Sequence, residues 1–288
     1  MFKMGNCSIN PKANLPVAVD DMPKPTGSRN ILIVGGGIAG MQAAITAVDR
    51  GHKVTLVEKS DKLGGILNFT KVDVNKNDLW NFMNTLLYEI QIRRVNVKLN
   101  TEVNTDFIQK MKPEVLILAL GSSPLMPSIP GIDHTLNALK VYDQPSNIRK
   151  RVVMIGGGLV GCETGLHLAK TGHDVIVIEM LKRLANESFG MYREALILEM
   201  QKYNVIGKTG TRCIEVTSTG VNVENEDGTQ EFIEADTVVY ALGMKANDTS
   251  ELHSAAGGIP VLEAGDCVRA RNVEEAVKEG FMAAMDIL

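Results

Sequence analysis

One stretch of the sequence occurs twice, and this duplication restricts the folds that the chain can adopt. Residues 35–59 (GGGIAGMQAAITAVDRGHKVTLVEK) align without a gap on residues 156–180 (GGGLVGCETGLHLAKTGHDVIVIEM), and 8 of the 25 aligned pairs are identical. The identical residues include four glycines near the start, a Gly-His pair and the glutamate before the last residue. A repeat of this kind indicates that one structural unit is present in two copies.

Each copy, with the apolar run before it, has the pattern of a strand, a glycine turn, a helix and a second strand. In the first copy, Ile31–Val34 predicts a short buried strand, Gly35–Gly37 a turn, Ile38–Arg50 a helix and Val54–Val57 another strand. Two strands joined through a helix run parallel and are buried on both faces. The sequence therefore predicts an α/β fold with two Rossmann-like domains.

The first glycine turn has the G-x-G-x-x-G spacing of a dinucleotide-binding loop. Gly35 permits a tight turn, Gly37 lets the backbone approach a pyrophosphate, and Gly40 brings the helix against the sheet. The N-terminus of that helix then directs unpaired N–H groups and the positive end of its dipole at the phosphates. Glu58, at the end of the next strand, is placed to accept hydrogen bonds from a ribose diol. These residues predict that the first copy binds a dinucleotide.

The second copy repeats this arrangement with the same spacing, at Gly156, Gly158, Gly161 and Glu179. A glutamate at the strand end favours a ribose with a free 2′-hydroxyl and repels a 2′-phosphate. We therefore expect the second copy to prefer NADH to NADPH. The basic residues at 182–183 argue for NADPH, unless they belong to a solvated loop.

Composition excludes several other classes of protein. The 288 residues suit two domains, and a net charge of -4 gives no electrostatic case for a nucleic-acid or membrane partner. The four cysteines form no C-x-x-C pair and the histidines show no ligand spacing, so we predict no metal site. The apolar runs are far shorter than the ~20 residues of a membrane span. Because the N-terminus also carries no apolar signal core, the expected location is cytoplasmic.

The order of the motifs resembles the two-dinucleotide-binding flavoprotein superfamily that includes thioredoxin reductase and glutathione reductase. The resemblance rests on GGGIAG, Glu58, Leu63-Gly64-Gly65, GGGLVG, Glu179 and Ala264-Gly265-Asp266. It implies FAD in the first domain and NADH in a second domain that is inserted into the first. We accordingly expect an extended leader at residues 1–29, the FAD-binding domain at 30–148 and 246–288, and the NAD(H)-binding domain at 149–245.

The glycine patterns and this resemblance together assign cofactor-binding residues to both domains. By resemblance, Asp266 binds the ribityl chain of FAD, and the N–H of Val273 faces the flavin pyrimidine oxygen. The expected FAD-binding residues are Gly35, Gly37, Ile38, Ala39, Gly40, Glu58, Lys59, Gly64, Gly65, Ile66, Leu67, Val103, Ala119, Gly121, Gly265, Asp266 and Val273. The expected NADH-binding residues are Gly156, Gly158, Leu159, Val160, Gly161, Glu179, Ala241 and Gly243.

A narrower resemblance is to old-yellow-enzyme-like reductases, such as 2,4-dienoyl-CoA reductase, 2-enoate reductase and trimethylamine dehydrogenase. It rests on Cys7-Ser8-Ile9-Asn10-Pro11 ahead of a proline-rich leader, and on the ending AGDCVRARNVEEAVKEGFMAA. Members of that family begin with an FMN-binding TIM barrel and a four-iron–four-sulfur cluster, whose last ligand matches Cys7. The resemblance implies that this chain is the C-terminal FAD/NAD(P)H-binding portion of such an enzyme. It also implies a barrel domain or subunit as the partner.

These resemblances imply an FAD-dependent NADH oxidoreductase module of the NADH oxidase or diaphorase type. Hydride would pass from NADH to FAD, and electrons would continue to the FMN and iron–sulfur partner. The cofactors perform that chemistry, so no side chain is assigned as a catalytic acid or base. The alternative is a non-catalytic module that binds ADP, or an electron-transfer subunit of a larger reductase.

Overall fold

The computed structural model describes residues 7–288, with only the backbone described at Val74. The chain forms two compact units. The first unit contains the residues up to Ser123 and those from Met244 onward, and the second contains Pro124–Gly243. The second unit is therefore inserted into the first, which confirms this part of the predicted fold class.

Strands and short helices alternate along most of the chain. The strands are β1 (Asn30–Val34), β2 (Lys53–Val57), β3 (Asn96–Lys98), β4 (Val115–Leu118), β5 (Ser122–Pro124), β6 (Leu136–Asn137), β7 (Arg151–Ile155), β8 (Asp174–Glu179), β9 (Ile206–Thr209), β10 (Thr211–Thr217), β11 (Gly220–Asn225), β12 (Gln230–Glu234), β13 (Thr237–Tyr240), β14 (Met244–Ala246) and β15 (Val261–Glu263). The helices are α1 (Ile38–Asp49), α2 (Asn77–Ile92), α3 (Thr105–Met111), α4 (Ala138–Asp143), α5 (Leu159–Lys170), α6 (Gly190–Lys202), α7 (Ser250–Ala255) and α8 (Val273–Met285).

The first unit is built on a parallel five-stranded sheet in the order β15-β4-β1-β2-β3. The apolar residues of β1 alternate between two buried clusters, because helices cover both faces of the sheet. Ile33 packs with Met41 of α1, whereas Leu32 packs with Ile108 of α3. The strand order changes direction between β1 and β4, so the carboxyl ends of these two strands form the crevice where ligands bind in open α/β sheets.

The second unit repeats this topology with a parallel sheet in the order β6-β13-β7-β8-β9. β7 and β8 occupy the positions that β1 and β2 hold in the first unit. An antiparallel sheet, β10-β11-β12, adds a further layer. Its residues Val221 and Ile233 belong to the same buried cluster as Val153 of β7.

One boundary between the units differs from the sequence expectation. We expected the FAD-binding domain to continue to residue 148, but the structure assigns residues 124–148 to the second unit. The reason is that β6 extends the second sheet by pairing with β13, and Ala138 and Val141 of α4 are buried. The other boundary, at residues 243–244, lies close to the expected position of residue 245.

A buried histidine lies between the leader and the rest of the first unit. His52 is 5% exposed, and its Nδ1 accepts a hydrogen bond from the N–H of Arg29 at 3.2 Å. The neighbouring Arg50 guanidinium donates to the carbonyl oxygens of Pro23 and Ile287, at 2.9 and 3.2 Å. Burial lowers the pKa of His52, and the positive charge of Arg50 lowers it further. Folding therefore favours the neutral form of this imidazole.

This arrangement predicts a loss of stability in mild acid. The folded pKa of His52 is lowered, so the unfolded chain takes up a proton more readily, and the free energy of unfolding falls as pH drops below about 6.5. His52→Gln is expected to flatten the dependence of the unfolding midpoint on pH between about 7.5 and 5.5. Thermal unfolding across that pH range measures this. His173→Gln, at the duplicated position in the second unit, controls for the loss of one histidine, and an equal flattening by both variants would contradict the assignment.

Candidate dinucleotide sites

In the first unit, the three glycines of the turn occupy the positions that a dinucleotide loop requires. Gly35 has a φ of +106°, which an L side chain rarely adopts. A Cβ atom at Gly40 would lie 1.9 Å from the carbonyl oxygen of Gly35, so only glycine lets α1 approach the end of β1 this closely. A Cβ at Gly37 would meet nothing within 4 Å, so this side of the loop is open. The tight turn at Gly35, the open space beside Gly37 and the close helix contact at Gly40 all fit a bound pyrophosphate.

The second unit repeats the tight turn and the close helix contact. Gly156 has a φ of +99°, and a Cβ at Gly161 would lie 1.9 Å from the carbonyl oxygen of Gly156. The position of the middle glycine differs from that in the first unit. A Cβ at Gly158 would lie 2.8 Å from Oε1 of Glu187, a carboxylate that also accepts a hydrogen bond from the N–H of Leu159. The second turn therefore fits a dinucleotide in its backbone, with a carboxylate at the helix N-terminus.

Glu58 binds the glycine turn as well as being available to a ribose. The side chain is buried, and its Oε2 accepts a hydrogen bond from the N–H of Gly36 at 2.7 Å. Its Oε1 accepts from the N–H and the hydroxyl of Ser60, both at 2.8 Å. An ionised carboxylate offers about four lone-pair sites, so Glu58 keeps about one for a ribose hydroxyl.

Glu179 makes the corresponding contacts in the second unit. Its Oε2 accepts from the N–H of Gly157 at 2.7 Å, and its Oε1 from the N–H of Leu181 at 2.8 Å. About two lone-pair sites remain for a ribose diol. The sequence placed both glutamates correctly at the strand ends, but it did not show that each one also fixes the turn.

The expected residues beside the first turn lie where β1 and β4 end. A Cβ at Gly35 would lie 2.2 Å from the carbonyl oxygen of Ala119, so this glycine and this alanine are in direct backbone contact. Gly121 has a φ of +69° and an open Cβ position. Ile38 and Ala39 are buried in the first turn of α1.

The loop after Glu58 folds back onto the glycine turn. The N–H of Gly64 donates to the carbonyl oxygen of Gly36 at 2.9 Å, and a Cβ at Gly65 would lie 3.1 Å from Cα of Gly37. Leu67 is buried in the core, whereas Ile66 is 38% exposed. This loop therefore places backbone atoms beside the first turn.

Lys59 and Val103 differ in burial and packing from the other expected residues of the first unit. Lys59 is exposed. The side chain of Val103 packs against the cluster that contains Leu32 and Val57. Its packing accounts for the apolar residue there, and a contact between Val103 and FAD stays a prediction.

Asp266 and Val273 both belong to the chain segment that completes the first unit. Gly265 starts a short 3-10 turn after β15, with a φ of +78°. The carboxylate of Asp266 accepts from the hydroxyl of Ser122 at 3.0 Å and from the N–H of Arg271 at 3.2 Å. Val273 is the first residue of α8, so its N–H has no partner within the helix. An acceptor and a donor are therefore available here for the rest of a dinucleotide.

The remaining expected residues of the second unit surround its own turn. A Cβ at Gly156 would lie 2.5 Å from the carbonyl oxygen of Ala241. Gly243 is exposed with a φ of +99°. Leu159 starts α5, and the next residue, Val160, is 53% exposed.

The buried thiols are poorly suited to redox chemistry. Cys162 is fully buried and donates to the carbonyl oxygen of Gly157 at 3.2 Å. Burial raises the pKa of Cys162 to about 12 and that of Cys213 to about 11, and it also raises the pKa of Cys267. The thiolate is the reactive form, so these three cysteines behave as small apolar residues. Cys7 is half-buried and forms no disulfide.

The part of the chain that the structure describes has neither a metal-binding cluster nor a membrane-spanning helix. Within residues 7–288, no three His, Cys, Asp or Glu side chains group in a way that could hold a metal ion. Within the same residues, every helix is too short or too polar to cross a bilayer.

Comparison with known proteins places this arrangement in a family. A protein-family model described as "Pyridine nucleotide-disulphide oxidoreductase" matches residues 29–284, which include both glycine turns and both glutamates. The chain belongs to this family.

The chain is also similar to individual proteins over most of its length. Bilirubin reductase of Mediterraneibacter gnavus is 36% identical over 261 residues, covering 89% of this chain and 40% of that protein. NADH oxidase of Thermoanaerobacter brockii is 33% identical over 289 residues, covering 98% of this chain and 44% of that protein. A solved structure of 2-naphthoyl-CoA reductase has a TM-score of 0.90 and 29% identity, covering 98% of this chain and 43% of the other. The chain thus spans about two fifths of the length of these relatives.

These similarities confirm the resemblance to the FAD/NAD(P)H-binding portion of old-yellow-enzyme-like reductases. Membership of the pyridine nucleotide-disulphide oxidoreductase family indicates FAD and a pyridine nucleotide as the cofactors.

Sequence reasoning missed several residues that shape the two sites. Ser60 and Ser122 bond to the acids at 58 and 266, and Glu187 bonds to the start of α5. A signal existed for the bond between each glutamate and its turn. Glu58 lies 22 residues after Gly36, and Glu179 lies 22 residues after Gly157, so the duplication preserves this spacing.

The close helix contact predicts a specific sensitivity. Gly161→Ala would place a methyl group 1.9 Å from the carbonyl oxygen of Gly156, so α5 must shift. We expect the free energy of unfolding to fall by about 1–3 kcal/mol, as for other overpacked positions. Chemical denaturation followed by circular dichroism measures this.

Gly190→Ala is the matched control. It lies at the start of α6 in the same unit, and its Cβ would meet nothing within 4 Å. We expect it to be neutral or slightly stabilising. Equal denaturation midpoints for Gly161→Ala and the unsubstituted protein would show that the contact is less tight than described.

Proposed function

We propose that the chain is the electron-input module of an NADH-dependent reductase, with FAD on the first unit and NADH on the second. The observation that carries the proposal is the repeated site. In each unit, a glycine turn, a helix N-terminus and a buried glutamate meet at the switch point of a parallel sheet. The similarity to NADH oxidase over 98% of this chain supports the same assignment.

In the first unit, the residues would divide the binding of FAD between them. The N-terminus of α1 and the open side of Gly37 would hold the pyrophosphate. Glu58, positioned by Gly36 and Ser60, would accept a hydrogen bond from the adenosine ribose. Asp266 would bind the ribityl chain, a role that the family resemblance implies.

In the second unit, Glu179 would bind the adenosine ribose of NADH and disfavour a 2′-phosphate. Lys182 forms an ion pair with Glu226, at 2.7 Å, which supports NADH over NADPH because that ammonium already has a partner. The backbone at Gly156, Gly158 and Gly161 would adjoin the pyrophosphate.

When bound, FAD supplies the redox chemistry, accepting hydride from NADH and passing electrons on to an acceptor. The side chains of the chain hold and orient the two cofactors, and none is proposed as an acid or a base. A route through a thiol pair is disfavoured because Cys162, Cys213 and Cys267 are buried with raised pKa values.

The proposed acceptor of the electrons is an FMN and iron–sulfur barrel, either a further domain or a separate subunit. The resemblance of the Cys7-Ser8-Ile9-Asn10-Pro11 segment to a cluster-ligand motif supports this partner. The lengths of the relatives also support such a partner. The chain covers only 40–44% of bilirubin reductase and NADH oxidase, so each of these proteins is more than twice as long as the part that matches. We also propose a cytoplasmic location, which the four free thiols in the described chain favour.

Anaerobic mixing tests the proposed reaction. The FAD-loaded protein is expected to lose its flavin absorbance near ~450 nm when NADH is added, without any added partner. The oxidised band should return when an artificial electron acceptor or oxygen is admitted. Stopped-flow absorbance measures both steps.

The same experiment separates the alternative function. If NADH and ADP bind with equal affinity and the flavin stays oxidised, the chain is a nucleotide-binding module and the proposed hydride transfer is wrong. Binding is measured by calorimetry on the same preparation.

Glu179→Gln tests the assignment of the ribose site. The amide keeps the size of the side chain but removes its charge, so NADH should bind roughly ten- to a hundredfold more weakly, equivalent to about 1.5–3 kcal/mol. NADPH should lose less, because its 2′-phosphate no longer meets a carboxylate. The ratio of the two dissociation constants is measured for both proteins.

Glu58→Gln is the matched control in the first unit. It should weaken retention of FAD and leave the ratio between NADH and NADPH unchanged. Preference for NADPH in the unsubstituted protein, or an unchanged ratio in Glu179→Gln, would be incompatible with the assigned site. Thermal unfolding of both variants separates binding from stability, since each variant loses the charge that fixes a turn.

A further inference from the structure

The duplication extends beyond the aligned segment into the loop that follows each glutamate. Gly64 and Ala185 correspond in the two units, and both have positive φ values, +108° and +46°. Their N–H groups donate to the carbonyl oxygens of Gly36 and Gly157, at 2.9 and 2.7 Å. The two loops therefore fold back onto the two glycine turns in the same way.

Two residues further along, the loops differ in a way that affects the anion position. The first unit has Ile66, a partly exposed apolar residue. The second unit has Glu187 at the corresponding place, and its carboxylate accepts a hydrogen bond from the N–H of Leu159, the first residue of α5. A Cβ at Gly37 would meet open space, whereas a Cβ at Gly158 would meet Oε1 of Glu187 at 2.8 Å.

The N–H groups at a helix N-terminus attract an anion, because they lack partners and carry the positive end of the dipole. In a Rossmann-like unit this is the position of the dinucleotide pyrophosphate. Glu187 places a negative side chain at that position, so a pyrophosphate and the carboxylate compete for one donor. Their charges also repel each other at short range.

Glu187 is well placed to leave when a ligand arrives. The residue is exposed, and it follows Ala185, which is fully buried and hydrogen-bonded to the turn. The loop backbone is thus anchored just before the residue, whereas the side chain of Glu187 lies on the surface. Rotation of the side chain frees the N–H of Leu159 without unfolding the loop.

We propose that Glu187 is an internal competitor for the pyrophosphate subsite of the second unit, and that it sets the affinity for NADH by being displaced. This inference rests on the proposed function, in which the second unit binds NADH. Its consequence is that the second site binds dinucleotide more weakly and releases it faster than its glycine turn alone would allow. The first unit, with Ile66, has no such competitor at the corresponding position.

Anaerobic calorimetric titration with NADH, ADP and adenosine tests the inference, on the full chain whose FAD has already been reduced, so that NADH binds without being oxidised. Glu187→Ala should tighten the binding of NADH and ADP by roughly tenfold and leave adenosine, which carries no phosphate, unchanged. Glu187→Gln keeps an oxygen acceptor but removes the charge, so its affinities should lie between those of the other two proteins. Glu224→Gln, on β11 of the same unit, controls for the loss of one negative charge.

The outcomes distinguish this inference from the proposed function. If all proteins bind NADH equally, or if Glu187→Ala binds it more weakly, the competitor is disproved while the NADH site stands. Tighter binding of adenosine to the same extent would also overturn it, since the phosphates would then play no part. If neither the unsubstituted protein nor the folded Glu187→Gln variant binds NADH or ADP, both the site and the inference fail.

Discussion

In each unit, the third glycine of the turn lies so close to the carbonyl oxygen of the first that a single methyl group would overlap it. This contact brings the N-terminus of a helix to the carboxyl end of the central strand. The next strand of the sheet lies alongside the central strand. The glutamate at its end, Glu58 or Glu179, therefore reaches the N–H of Gly36 or Gly157 in the turn. The helix dipole, the N–H groups of the first helical turn and the acid therefore converge only because the helix can approach the strand this closely.

Features that depend on neighbours close in the chain could be predicted from the sequence. The turn glycines, both glutamates and the parallel strands around them follow from local spacing and from a repeat that supplies the pattern twice. The insertion of one unit into the other could be expected only through a known family. The pairing of β6 with β13, which joins residues 124–148 to the second unit, could not be expected because β6 has two residues, too few to give a recognisable strand pattern.

Contacts between distant parts of the chain could not be predicted. Ser122 bonds to Asp266 across 144 residues, and nothing in the local pattern of either segment indicates the other. Glu187 was missed for a different reason. In the sequence it is one acid in a polar loop, and its position becomes meaningful only when the two loops are compared in space and Ile66 is found at the same place.

The hydrogen bond between Glu179 and the N–H of Gly157 also limits how coenzyme choice can change during evolution. A lineage under selection for a coenzyme with a 2′-phosphate cannot simply lose this glutamate, because the buried N–H of Gly157 would then lose its acceptor. The neighbouring side chains of Met180 and Leu181 are exposed, so they can be replaced without removing an acceptor from the turn. Adaptation would thus be expected to proceed through residues 180–183 first, with the acid replaced only after another group has taken over the turn.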